Sequence, residues 1–473
     1  MPDIYPAPSQ PYHVAQEILE EKYTATDKFS EPYTLGYYRD DWVFFTGAHW
    51  LTGPSAAGVE KQLKGQLFRL LGDAHYLVED NADDTSEIST RPWNPTPARV
   101  NNVAETMMLE VNDYLDDRRD APFWVLPRET DHSAAELVSL RNGLLHLPTR
   151  TLVKHTARLF NTWSLPFDYE ADAECPSWMA FLDDVFEHDP DGALLLQEFA
   201  GYAVSGRSDM HKALLIIGPP RAGKGTFCRI LTRLLGTDNV ATPTLRTLGS
   251  EYGLATLIGK PLAVIGDARA DDSRSANAIT EAILNITGGD SVTANRKYLH
   301  PWTGTLPSRL VMASNEVPRF LDASGAVATR FVSVRLVKTF LGKEDHGLED
   351  RLVRELPGIY NWALSGLDRL TEQGAFTVPE TMEATREQLT AHASPVTEFL
   401  EDTCIVTGDT EDYLNRKDLY DKFRWWAHDN GFQPPNLNTF VNRLTAADPR
   451  IRPMNKRLEG KARMRAVVGV KYR

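Results

Sequence analysis

The chain is poor in cysteine, with only Cys175, Cys228 and Cys404 in 473 residues. No two share a metal-ligand spacing and no histidine cluster lies near them. A disulfide framework and a structural zinc site are therefore not expected, and a reducing cytoplasm fits. No apolar run is long enough to span a bilayer, and the opening MPDIYPAPSQPYHV has neither a basic nor an apolar leader segment. A soluble, cytoplasmic protein without a membrane partner is expected. Positive charge is also scarce: 51 Lys and Arg against 65 Asp and Glu leave a net charge of −14. By itself that argues against a nucleic-acid binder. With 42% hydrophobic and 25% charged residues, the length suits two to four globular domains.

What the chain does contain is the run His211 to Gly236, HKALLIIGPPRAGKGTFCRILTRLLG. Ala213 to Ile217 reads as a buried strand. Phe227, Ile230, Leu231 and Leu234 recur at helical spacing, and Gly236 is a natural stop. Between them lie Gly218, Pro219, Pro220, Arg221, Ala222, Gly223, Lys224, Gly225 and Thr226. Two glycines let such a turn curl its N–H groups toward a polyphosphate, the helix N-terminus favours negative charge, and Lys224 reaches the β- and γ-phosphates. The strict pattern has Ser or Thr directly after the lysine. Here Gly225 intervenes, and Thr226 is the candidate hydroxyl for Mg²⁺. A match this loose arises by chance in roughly three or four per cent of chains of this length. The flanking strand and helix are what strengthen it.

Further elements follow in order. Pro261 to Ile265 is a second buried strand ending in Gly266-Asp267, and Asp267 is the candidate metal-holding and water-polarising acid. Asp271 and Asp272 read as a surface pair. Ser291 to Leu299 is expected to pair with Leu306 to Ser314 as a hairpin carrying Arg296, Lys297, His300 and Arg309. Placed in a channel, such a hairpin offers charge and hydrogen bonds to DNA. Asn315, at the end of the apolar LVMAS, is a candidate polar sensor for phosphate and water. Arg330 is a candidate arginine finger acting on a neighbouring subunit, preferred over Arg319 and Arg335.

Upstream, Tyr37, Tyr38, Trp42, Phe44, Phe45 and Trp50 read as a small β core. Helical patterns cover 56–72 and 98–118, and the acidic Pro/Thr-rich span 79–97 reads as a loop. Downstream, helices over 395–404, 415–430 and 437–446 precede a β-rich end, the pattern of a winged helix. Trp425, Trp426 and Phe432 are expected in its core. From Val441 to Arg473 ten basic residues face two acids. This is a local footprint for polyanion in an otherwise acidic chain.

The runs GPPRAGKGTF, LAVIGDARADD, ITGGDSVTANRKYLHPW and SRLVMASNEVPRFLDASGAVATRF together resemble the superfamily-3 helicases of the phage/plasmid and poxvirus primase-helicase type. DDWVFFTGAHW, RNGLLHLPTRTL and FDYEADAECPSW look like the domain that precedes the ATPase there. The resemblance covers nearly the whole chain, with four motifs in order. It implies an α/β, AAA+-like P-loop ATPase core (207–375) after an α+β N-terminal domain (1–206), then a linker (376–392) and a winged helix (393–473). It further implies ATP and Mg²⁺ as cofactors and a homo-hexameric ring. That ring would translocate 3′ to 5′ on single-stranded DNA and unwind forked DNA while a phage, plasmid or integrated element replicates. A primase or polymerase of the same element or host is an expected partner. By motif, Gly218, Gly223, Lys224 and Thr226 fall on Walker A, Asp267 on Walker B, Asn315 on the sensor and Arg330 on the finger. Lys297 and His300, with Arg296, fall on the DNA hairpin. Walker B here lacks the paired acids of many members. No carboxylate set for primase work is visible, so no primase activity is expected. Three other readings are an origin-binding initiator using ATP as an assembly switch, an element-encoded ATPase used in host defence or packaging, and a nucleoside monophosphate kinase. The last shares the GKGT spelling but is usually a compact single domain.

Overall fold

A computed structural model describes residues 3–24, 33–52, 58–82, 85–129, 131–266, 268, 276–320, 322, 325–392, 395–430, 432, 434–456 and 464–473. Its centre is a five-stranded parallel sheet. The strands are β1 (Ala213–Ile217), β2 (Val240–Ala241), β3 (Leu262–Ile265), β4 (Arg309–Ser314) and β5 (Phe331–Arg335), in spatial order β2-β3-β4-β1-β5. The helix α1 (Lys224–Leu235) leaves the end of β1.

Parallel strands covered on both faces read as continuous apolar runs, and β1 and β3 are buried along their whole length. Alternate side chains sort into two cores, as the pleat requires. Leu214, Ile216, Leu262, Val264, Val311 and Ala313 pack with α1 and with helices Pro176–Val185, Pro190–Val204 and Leu356–Gln373. Leu215, Ile217, Ala263, Ile265, Leu310 and Met312 pack with helix Ala276–Gly288 and with Val292 and Trp302 of a hairpin. The two helices that precede the sheet in sequence therefore share its core.

Helices Pro190–Val204 and Leu356–Gln373 approach through glycine. A Cβ on Gly201 would stand 2.3 Å from the Ala363 carbonyl oxygen, and one on Gly366 would stand 2.4 Å from that of Gln197. Their contact encloses Glu198, which is fully buried. Its carboxylate accepts from Arg369 Nε at 2.7 Å and from the Thr377 N–H at 2.7 Å and hydroxyl at 2.6 Å. A buried charge needs this degree of satisfaction.

The N-terminal part packs helices Pro11–Lys22, Val59–Gly72 and Pro97–Val111 against an antiparallel sheet that includes Leu35–Tyr38 and Asp41–Phe45. Much of the span expected as a loop at 79–97 is instead strand. His75–Ala82 pairs antiparallel with Thr85–Pro92. Acid and proline content signals solvent exposure, but it does not say whether backbone groups find partners, and here a two-stranded ladder supplies them. The C-terminal part has helices Pro395–Thr403, Arg416–Asp429 and Leu437–Ala447. Beside them lies an antiparallel sheet with Met464–Val468 between Tyr413–Asn415 and Arg452–Lys456. Trp426 and Phe432 pack against its core. Trp425 does not: it is 76% exposed, which corrects the expectation. On one helix, neighbouring residues point about 100° apart, so only one of the two tryptophans can face inward.

Among the described residues no helix is long and apolar enough to cross a membrane, and no group of three or more metal-binding side chains forms. The three cysteines are buried and unpaired. Burial pushes the Cys228 thiol up to about 12 and the Cys175 thiol up to about 11, so both stay protonated.

Gly201→Ala should lower the melting temperature. Helix propensity favours alanine by about 1 kcal/mol. A methyl against an immovable backbone carbonyl costs about 1–3 kcal/mol and outweighs it. A thermal melt checks the sign.

Stability should also fall in mild acid. Burial, and then neighbouring His155, hold the His49 imidazole below the ordinary histidine range, and burial does the same for His155. As pH falls the unfolded chain takes up these protons first. The contribution of the two neutral rings is thus complete above about pH 6.5 and declines below it. Melts between neutral pH and mild acid should show a smaller decline for His155→Gln than for the wild type.

Candidate functional site at the carboxyl edge of the sheet

The register between β1 and β4 builds the site. The two run parallel with Ile217 opposite Ser314, and the Gly218 N–H donates to the Ser314 carbonyl at 3.2 Å. The residues that leave the two strands, Gly218 and Asn315, therefore start side by side. The Gly218–Thr226 turn then curls back. A side chain on Gly218 would strike the Leu336 carbonyl oxygen at 2.6 Å, so the strand exit admits only glycine. Arg221 and Gly223 both adopt positive φ, 61° and 96°. Gly223 occupies the N-cap of α1 and has no side chain to cap it. The first-turn N–H groups of a helix attract anions.

Lys224 Nζ donates to the Gly218 carbonyl at 2.5 Å, the Pro219 carbonyl at 2.8 Å and Asn315 Oδ1 at 3.0 Å. Two residues singled out separately in the sequence, Lys224 and Asn315, thus touch. The Thr226 hydroxyl accepts from Arg229 Nη2 at 3.4 Å. Asp267 lies outside the described residues. The strand before it, β3, runs parallel beside β4 with Ile265 opposite Met312, and the Ala268 N–H donates to the Ala313 carbonyl at 3.2 Å. β3 therefore ends at the same edge.

A cavity of about 810 Å³ opens over the turn. Arg221, Ala222, Gly223, Lys224, Gly225, Thr226 and Asn315 line it, together with Phe181, Phe340, His346 and Glu349 among others. The segment after β5 is tied to the turn: the Phe340 N–H donates to the Arg221 carbonyl at 2.9 Å and the Thr339 hydroxyl to the Pro220 carbonyl at 2.9 Å. Arg229 pairs with Glu349 at 2.7 Å and Arg221 with Glu344 at 3.7 Å. These lining residues were not foreseen, because 336–349 carries no motif and reaches the turn only through the β1–β5 pairing.

Arg330 is not brought to this edge. Phe331 pairs with Ala213 at the entry end of β1, so Arg330 sits about 16 Å, five strand residues, from the exit end. Burial, then Arg330 and Arg386, hold the Lys212 ammonium below the usual lysine range. Arg335, at the exit end of β5, donates to Gln388 Oε1 at 3.0 Å. The Arg319 guanidinium lies 5.8 Å from the Phe432 ring centre.

The DNA hairpin differs from expectation. Ser291–Ala294 pairs with Trp302–Thr305, while 309–314 is the central strand β4. Arg309 is consequently buried at the base of the sheet, donating to the Gly206, Arg207 and Pro307 carbonyls, and burial lowers its guanidinium to about 10. Arg296 is also unavailable as a DNA contact. Its side chain is 8% exposed and pairs with Asp41 of the N-terminal part at 2.5 Å, while its Nε donates to the His300 carbonyl at 2.8 Å. Burial holds the Asp41 carboxyl above the usual range even as Arg296 pulls it down. Lys297 and His300 remain exposed at the tip.

The Asp41–Arg296 pair should couple the two parts of the chain. A thermal double-mutant cycle of Asp41→Asn and Arg296→Ala should return about 1–3 kcal/mol, below the value of a fully buried pair because Asp41 keeps 24% of its side chain exposed. Hydrogen exchange across 291–305 should rise in either single variant.

Three segments match known family models. Residues 35–187 match "D5 N terminal like", 216–330 match a "Family of unknown function (DUF5906)", and 391–449 match "Poxvirus D5 protein-like". Among solved structures, the apo structure of the NrS-1 C-terminal region aligns with a TM-score of 0.42 at 13% identity, covering 65% of this chain and 77% of that one. Its A form aligns at 0.40 with 12% identity, covering 65% and 76%. The two D5-type models, one before the central sheet and one after it, support a D5-like relationship for this chain.

Proposed function

We propose that the chain is an ATP-driven DNA helicase of the superfamily-3 type, working in DNA replication of a phage, plasmid or mobile element. The observation that carries this reading is the contact between Lys224 and Asn315 over a glycine turn, at the exit of two paired parallel strands. The D5-type segments on either side favour a replication enzyme over a metabolic kinase. In this reading the turn is the P-loop of an AAA+-like core, and 393–473, with its three helices and antiparallel sheet, is a DNA-binding winged helix.

The turn suits a polyphosphate. Gly218 lets the turn leave β1 tight against Leu336, and Gly223 leaves α1 without a side-chain cap. ATP would lie with its phosphates here, and its base toward Phe181 and Phe340. Thr226 and Asp267 would hold Mg²⁺, which supplies charge neutralisation to the phosphates. Lys224 would exchange its carbonyl partners for the β- and γ-phosphates. Asn315 would orient a water against the γ-phosphorus. As the water oxygen bonds to that phosphorus, the bond to the leaving oxygen of ADP would break, charge would spread over the equatorial oxygens, and the water's proton would leave with the released phosphate. Arg330 stands at the far end of the sheet, so it would meet that charge only from a neighbouring subunit. This is the reason for proposing a ring, with a hexamer as its expected size.

Strand displacement on forked DNA with ATP tests the motor. Wild type should unwind, and Lys224→Ala should lose at least about 100-fold in rate. A folded wild type that binds origin DNA without unwinding would instead favour the initiator reading. Subunit mixing tests the shared site. Lys224→Ala and Arg330→Ala should each be inactive alone, with Arg330→Ala down by about 1000-fold. Mixed rings should recover ATPase, because some interfaces combine an intact lysine with an intact arginine. Absence of recovery would place Arg330 outside the neighbour's site.

A further inference from the structure

The hairpin tip presents a residue that its motif did not single out. Tyr298 is 91% exposed; among the described residues the next large apolar side chain is Trp425 at 76%. Its backbone φ is 64°. That left-handed conformation is rare for a bulky residue, which lacks the short polar side chain that eases it in Asn or Asp. The tyrosine is thus held in a disfavoured conformation without burying its ring. Such outliers persist where surrounding structure imposes them.

The imposing contacts are present. The Leu299 N–H closes on the Arg296 carbonyl at 3.2 Å, and Arg296 Nε on the His300 carbonyl at 2.8 Å. Arg296 is itself pinned to Asp41. On the rung next to the turn, where Trp302 pairs with Ala294, the Arg39 guanidinium lies 5.3 Å from the Trp302 ring centre. The turn is braced from beneath by the N-terminal part, and the ring projects from it. Lys297 Nζ lies 5.1 Å from the Tyr298 ring centre. The pocket beside the ring is lined by Asp40, Asp41, Arg296, Leu299 and His300. A planar ring with a cation beside it matches an unpaired base and its phosphate, whereas duplex bases are already stacked on each other.

We propose that Tyr298 stacks on an unpaired base of single-stranded DNA, with Lys297 on the adjacent phosphate. The Asp41–Arg296 pair is the positioning element that holds the ring out. This rests on the helicase reading.

The test is binding of a labelled oligothymidine to the full chain, by fluorescence anisotropy over a salt series with a non-hydrolysable ATP analogue. Tyr298→Ala should weaken binding roughly 5- to 150-fold, the loss expected for one base–aromatic stack, with the salt slope unchanged. Tyr298→Phe keeps the ring and should stay within about 2-fold of wild type. Lys297→Gln should instead reduce the salt slope by about one. Arg296→Ala should weaken binding, and Arg296→Lys should restore part of it. Melting temperature confirms that each variant is folded. If wild type binds and unwinds DNA but Tyr298→Ala binds equally well, this inference fails and the helicase reading stands. If wild type does not bind single-stranded DNA, both fail.

Discussion

The site depends on one pairing, β1 beside β4 with Ile217 opposite Ser314. Parallel strands have no hairpin to set their register, so the register is held by side-chain faces. A slip of one residue would exchange the two cores, moving Leu214 and Ile216 to the side that now receives Leu215 and Ile217. The burial of both faces therefore holds Gly218 level with Asn315. The contact from Lys224 to Asn315 follows from it. The chemistry at the edge is only as well placed as the packing beneath.

The helix pair behind the sheet adds a second constraint. Gly201 and Gly366 bring two backbones close enough to enclose Glu198, whose carboxylate is satisfied by Arg369 and Thr377. The segment entering β1 and the segment leaving β5 are thereby joined. Phe181 and Phe340 line the cavity over the turn. The acids that make the chain so negative have a local use here: Glu344 and Glu349 neutralise Arg221 and Arg229.

The hairpin ties this core to the N-terminal part. Asp41 and Arg296 meet across a separation of 255 residues, and Arg39 reaches Trp302. Any movement of the hairpin is felt at those contacts. In a DNA motor this would link tip position to the N-terminal part. The consequence for Arg296 is a change of role, from a group offered to DNA to one that sets the stance of Lys297, Tyr298 and His300.

Much of this was legible in the chain alone. The strand, glycine turn and helix of 213–235 are specified by short-range features: an apolar run, residues that tolerate positive φ, and helical periodicity. The three C-terminal helices were readable for the same reason. The misjudged segments depended on distant partners. The strands at 75–92 needed each other more than they needed an apolar pattern. Residues 306–314 read as a hairpin arm because a buried central strand and an arm share the same local pattern. Trp425 and Trp426 could not be told apart until the helix had a core to face. By itself the sequence determined that a strand, a glycine turn and a helix follow one another at 213–235, because those properties act within a few residues. Only the tertiary structure decided that Lys224 meets Asn315, that Arg330 stands at the far end of the sheet, and that Arg296 belongs to Asp41. Each of these turns on which strands pair and in what register, which is set by burial over the whole sheet.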